Sequence, residues 1–183
     1  ISLIIPVIIC GITYMLLLIT GIPQWNIIKE DFHNSNYVFY LFIMFFGCYG
    51  EEIGWRGFML PYLRKKHSLF LSSLIIGVCW GLWHLYFKAG FCGFMIHMIM
   101  VIEISFVISW LCTKTNGNIM VATIFHTSFN LFSFIFFKEI VFAKIVNSQS
   151  ILSLYGIIAI SFSPLCIWSI RYMFINQKFQ NKK

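Results

Sequence analysis

Glu51, Glu52 and Arg56 lie inside the apolar run FIMFFGCYGEEIGWRGFMLPYL, and a carboxylate in such surroundings is a natural general base. An ionisable side chain at the centre of a bilayer costs roughly 2.5–3.5 kcal/mol on insertion scales. Three within six residues are tolerable only if they pair with one another or face a polar cavity, so the cluster marks a functional site. Glu52 and Arg56 are four apart and share a helix face, which suits an intrahelical ion pair. Glu51 points about 100° away. The spacing therefore predicts that Arg56 neutralises Glu52 and leaves Glu51 to face a cavity, where it is placed to take a proton from water.

Two further polar clusters interrupt apolar stretches. In Trp80-Gly81-Leu82-Trp83-His84 the indole of Trp80 sits one turn before His84 on the same face, positioned to pack on the imidazole and fix its rotamer. In His126-Thr127-Ser128-Phe129-Asn130 the imidazole and carboxamide are four apart and project together, as donors for a developing oxyanion must. Each cluster alone also suits interhelical hydrogen bonding. Together they supply a base, an orienter and oxyanion donors on three helices, the inventory for activating a water and stabilising a tetrahedral intermediate. His97 and Glu103 are six apart and do not share a face, so they read as structural or substrate-path residues. Glu103 must find a partner such as a Ser, Trp or Lys on a neighbouring helix.

The elements that carry these residues follow from composition. The 183 residues are 60% hydrophobic, 19% aromatic and only 10% charged, with a mean hydropathy of +0.85. Soluble domains are about 25% charged, so the expected fold is an all-α, polytopic transmembrane bundle in one domain over residues 1–183. About 20 residues per span leaves room for about six helices. The apolar stretches run roughly Leu3–Ile22, Tyr37–Leu63, Leu69–Phe87, Phe91–Cys112, Ile119–Phe137 and Ile151–Phe174. Turn or helix-end chemistry separates them at Gly21-Ile22-Pro23, Arg64–His67, Lys88–Gly90 and Thr115-Asn116-Gly117-Asn118. The mixed stretch 140–150 reads as interfacial. The chain begins with Ile1, which suggests an N-terminally truncated piece. Its first apolar run reads as a retained span and not as a signal peptide.

The net charge of +7 comes from Lys and Arg at helix ends, which speak for membrane topology and anionic lipid and against a nucleic-acid partner. With the Arg64–His67 loop placed in the cytoplasm, eight Lys or Arg fall inside (Arg64, Lys65, Lys66, Lys114, Arg171, Lys178, Lys182, Lys183) and four outside (Lys29, Lys88, Lys138, Lys144). Both termini are then expected in the cytoplasm. The six cysteines are scattered without a C-x-x-C and read as buried membrane thiols, with neither disulfide framework nor zinc knuckle. The 21 Phe read as lipid-facing packing.

The three clusters resemble the motifs of the CPBP family of intramembrane proteases, the CAAX-processing and bacteriocin-processing enzymes also called Abi: E-E-x-x-x-R at 51–56, aromatic-x-x-x-H at 80–84 and H-x-x-x-N at 126–130. The resemblance covers about 40–132. Gly54-Trp55-Arg56-Gly57-Phe58-Met59-Leu60-Pro61 and the Thr115–Asn118 turn look like a bacterial branch. It implies an endopeptidase of the cytoplasmic membrane, acting on membrane-associated peptides or precursors: a signalling peptide, a bacteriocin leader or a lipidated C-terminus. In a bacterium, prenylated CAAX proteins would be the less expected substrate. The resemblance makes Glu51 the general base, His84 its partner in holding water, and His126 and Asn130 the oxyanion pair. Glu52 and Arg56 shape the site. The family has also been called metalloprotease, and Glu51, His84 and His126 would be the ligands if zinc were bound. Without an H-E-x-x-H and with Asn130 to account for, a metal-free mechanism without cofactor is favoured. Two non-protease readings stand beside it. A binding or bacteriocin-immunity protein would use the same cavity without catalysis. A proton-coupled transporter would show inverted repeats, which the positions of Pro6, Pro23, Pro61 and Pro164 do not suggest.

Overall fold

The computed structural model describes residues 1–20, 37–87, 89–142 and 148–180, and every regular element among them is helical. The elements are α1 (Ile4–Ile19), α2 (Tyr37–Glu52), a π-helical turn (Ile53–Met59), α3 (Leu60–Arg64), α4 (Leu69–His84), α5 (Gly90–Lys114), α6 (Ile119–Phe142) and α7 (Ser148–Gln180). Helix α2, the π turn and α3 follow one another without a break, so the described chain forms six rods, as composition predicts. Among the described residues three segments are long and apolar enough to cross a membrane: Gly90–Lys114, Ile119–Phe137 and Gln149–Ile175. The apolar helices Ile4–Ile19 and Leu69–His84 are shorter.

Helix α5 is the centre of the bundle, packed against α4, α6 and α7, while α1 lies on α6 and α7 and α2 on α6. Its residues Ile104 to Cys112 are all buried. The Phe residues divide between two roles, which corrects the expectation that they face lipid: Phe125, Phe137 and Phe162 are fully buried, whereas Phe39, Phe42, Phe46 and Phe58 are exposed apolar surface. Rings pack between helices, as Phe125 and Phe129 of α6 do against Phe162 of α7, as well as covering their outer faces.

Local chemistry sets the ends of the rods. Ser68 caps α4, its Oγ accepting from Leu71 N at 3.0 Å. Helix α5 stops at Asn116 and Gly117, with φ of 55° and 81°. Gly117 N–H returns to Cys112 O, and Asn118 Oδ1 receives Met120 N–H at 3.0 Å as α6 begins. This is the expected Thr115–Asn118 turn. The third apolar stretch ends earlier than its hydropathy suggests. Leu85 adopts the left-handed conformation (φ 41°, ψ 47°), which costs a residue with a Cβ about 1–2 kcal/mol and makes His84 the last helical residue. The interfacial stretch expected at 140–150 is helical through Phe142 and again from Ser148, and 143–147 lie outside the described residues.

Helices α4 and α5 come close because α4 presents Ser73, Gly77 and Gly81 at four-residue intervals. Such small-residue stripes let membrane helices touch backbone to backbone. A Cβ on Gly77 would stand 2.9 Å from Ile102 Cα, and Ser105 Oγ donates to Ser73 O at 3.0 Å across the same seam. Gly77→Leu should destabilise the bundle by about 1–3 kcal/mol, as overpacked cores are, read as a lower thermal midpoint in detergent. Gly156→Ala, whose added Cβ meets nothing within 4 Å, should leave the midpoint nearly unchanged. Equal losses in the two variants would mean that the close approach is not what holds the helices together.

Candidate active site

Glu52 is the most buried group of the site, with no exposed surface. Its Oε1 accepts from Arg56 Nη1 at 3.0 Å and from His126 Nδ1 at 3.0 Å. The first contact is the expected ion pair. The second was not legible from spacing, because the two residues are 74 positions apart. It ties the end of α2 to α6 and fixes the His126 ring, which also reaches Cys48.

Arg56 sits in the π turn, where Leu60 N–H reaches back five residues to Trp55 O. Pro61 follows directly. It has no N–H to return to Gly57 O, which removes one α-helical bond and favours the wider turn. The guanidinium lies 4.9 Å from the Trp80 ring centroid, a cation–π contact made inside the bundle.

Trp80 has more partners than its place in the second motif suggests. Its Nε1–H donates to Glu51 Oε2 at 2.7 Å. Its ring meets His126 edge-on at 4.9 Å between centroids and tilts against His84 at 5.9 Å. Glu51 is therefore half-buried and anchored through one oxygen, where spacing alone left it facing a cavity without a partner. His84 is exposed in this structure. Its Nδ1 lies 2.8 Å from Trp80 O. A carbonyl can only accept, so Nδ1 carries the proton and Nε2 keeps its lone pair. The rotamer of His84 is thus held by the backbone of Trp80 more than by its ring.

Asn130 shares a face of α6 with His126 but takes a different partner: Nδ2 donates to Cys48 Sγ at 3.4 Å. Cys48 is buried, one turn before Glu52 on α2, and reads from sequence only as one of six scattered thiols. Its i, i+3 and i, i+4 spacing to Glu51 and Glu52 was the available signal. His97 is buried against His84, with ring centroids 5.6 Å apart. Glu103 finds a serine as expected, accepting from Ser163 Oγ at 2.8 Å on α7.

Trp80 thus gathers Glu51, His84 and His126 around one ring, while Cys48 draws Asn130 toward α2. Among the described residues no three His, Cys, Asp or Glu side chains group closely enough to hold a metal ion, while the Nδ1 bonds of His84 to Trp80 O and of His126 to Glu52 are of the kind that ligating imidazoles also make.

A profile of the type II CAAX prenyl endopeptidase Rce1-like family matches residues 33–132, the stretch that carries all three motifs. The chain is also similar to CAAX prenyl protease 2 of Methanococcus maripaludis, with 28% identity over 110 residues, which are 54% of this chain and 41% of that protein. The match therefore spans less than half of the relative's length.

The two glutamates should separate under substitution. Glu52→Leu leaves Arg56 buried without its counter-charge, and breaking such a pair costs about 3–5 kcal/mol. The expected outcome is a large fall in thermal midpoint in detergent, recovered in part by the double variant Glu52→Leu/Arg56→Leu. Trp80→Phe keeps the ring but removes the donor to Glu51, and should cost about 1.5–3 kcal/mol, the worth of a hydrogen bond to a charged group. A Glu52→Leu protein as stable as wild type would show that the buried pair is not structural.

Proposed function

This chain belongs to the type II CAAX prenyl endopeptidase Rce1-like family, and we propose that it is an intramembrane endopeptidase that cleaves a membrane-associated peptide or protein precursor with a glutamate-activated water. The observation that carries this reading is the convergence of Glu51, His84 and His126 on Trp80 from three helices. A carboxylate, an imidazole with an open Nε2 and a second imidazole are held together in an apolar bundle.

In the proposed reaction, water sits between Glu51 and Nε2 of His84. Glu51 takes its proton as the oxygen attacks the carbonyl carbon of the scissile peptide. The carbonyl oxygen becomes an oxyanion, stabilised by Nε2–H of His126, held as an imidazolium beside Glu52, and by the Asn130 carboxamide, both exchanging their contacts with Cys48 for a bond to substrate. Such donors are often misaligned without substrate and tighten on binding. As the intermediate collapses the C–N bond breaks, and Glu51 returns the proton to the leaving amine. The chemistry runs on side chains alone, without a metal or other cofactor. Glu52 and Arg56 act by holding His126 and Trp80 in place.

The relative's name points to prenylated CAAX termini as one substrate class, beside signalling peptides and bacteriocin leaders. The enzyme is an integral membrane protein with both termini in the cytoplasm, by the distribution of Lys and Arg, and its residence is a bacterial cytoplasmic membrane.

The test is cleavage of a membrane-anchored peptide library in liposomes, followed by mass spectrometry with and without a chelator. Wild type should cut in both conditions. Glu51→Gln should lose at least about 100-fold in rate, the low end for a general base, while keeping its fold and insertion. A Glu51→Gln enzyme that still cuts would rule this mechanism out. Activity lost to chelator and restored by zinc would replace the metal-free version. Protection or partner binding that survives Glu51 and His84 substitution, without cleavage, would favour the immunity-protein reading.

A further inference from the structure

A cavity of about 330 Å³ lies between α2, α5, α6 and α7 beside the proposed active site. Most of its wall is Met, Phe, Leu and Ile, but Asn130 and His97 also line it. Asn130 makes it continuous with the proposed oxyanion site. His97 is only 7% exposed, and its Nδ1 has no hydrogen-bond partner among the described residues. The ring cannot easily turn to find one. It is stacked on Tyr86 (centroids 5.2 Å apart, 21° between planes) and meets Tyr155 at 5.4 Å and His84 at 5.6 Å edge-on. A polar atom that is buried, clamped and unpartnered is unfavourable unless a ligand completes it.

We propose that this cavity is the substrate-side-chain subsite of the protease, taking one bulky apolar residue next to the scissile bond, and that His97 positions the substrate by hydrogen-bonding its backbone. The volume is at the low end for ligand pockets, enough for one large side chain and too small for a folded peptide. Apolar walls with a few placed polar groups are the usual construction of such pockets. The chain reaches it by laying its carbonyl across Asn130, so that the side chain entering the cavity and the peptide group at the oxyanion site belong to neighbouring atoms of one substrate. His97 is a positioning residue here and does not touch the reacting atoms. The proposal rests on the protease reading for its purpose, but cavity occupancy can be measured without cleavage.

Two arms test it. In the first, the liposome library carries p-benzoylphenylalanine at successive positions and is photolysed with the Glu51→Gln protein. Crosslinks should map to Met44 or Met100 in the cavity wall and should vanish in Leu154→Trp and Ser133→Leu, which fill it from α7 and α6. In the second, cut sites of the wild-type enzyme should share a bulky apolar residue at one position. His97→Phe, which keeps the ring stacks, should raise KM by roughly 2- to 13-fold, one hydrogen bond's worth, with kcat little changed, and His97→Gln should recover part of it. A lowered melting temperature without a change in KM would make His97 merely structural. Crosslinks elsewhere, or unaffected by filling the cavity, overturn the subsite whether or not the enzyme cuts. Crosslinks as expected without any cleavage keep the subsite and sink the protease reading instead.

Discussion

One carboxylate oxygen organises this bundle. Glu52 Oε1 accepts from Arg56 one turn along its own rod and from His126 on α6, at a position with no solvent. In an apolar medium neither charge is tolerable alone, so each partner must be brought to the other. The contact therefore fixes where α6 lies against α2 and which edge of the His126 ring faces the site. Arg56, held by Glu52, lies against Trp80, and Trp80 in turn holds Glu51 by its indole N–H. The orientation of the free-standing carboxylate thus traces back, through one ring, to a neighbouring ion pair.

The second constraint is the α4–α5 seam. Gly77 and Gly81 remove the side chains that would hold the helices apart, and the shortened end of α4 at Leu85 leaves His84 as its last residue, just before the link into α5. That is why His84 can meet His97 on α5 while its Nδ1 stays bonded to Trp80 O. Packing and chemistry are the same feature here, since a bulkier seam would displace both histidines. The π turn plays a matching part on the other side, widening the rod next to Pro61 where Arg56 must turn inward.

Much of this was legible before any coordinates. Apolar runs bounded by turn residues marked the six rods within a few positions, because a bilayer forces backbone groups to pair within each helix. The four-residue spacing of Glu52 and Arg56 named a real ion pair, because that contact is local to one helix. Less could be read where partners are distant in sequence. The bond from Trp80 to Glu51, the second claim on Glu52 by His126 and the capture of Asn130 by Cys48 all join different helices. The π turn and the left-handed Leu85 escaped too, since each depends on backbone bonds that hydropathy does not encode. The partner of Glu103 was foreseen as a type but not as Ser163.

The sequence by itself determined what kinds of group meet in this protein, and on which helices. Charge in an apolar run demands compensation, and helical periodicity says which residues on one rod can provide it. Only the tertiary structure decided which groups are spent on holding the site and which remain for chemistry. Glu52 and Glu51 are identical side chains, adjacent in the chain and in the same apolar run. What separates them is rotation about the helix axis and what each meets there: a guanidinium of the same rod and an imidazole from α6 for one, a single indole N–H from α4 for the other.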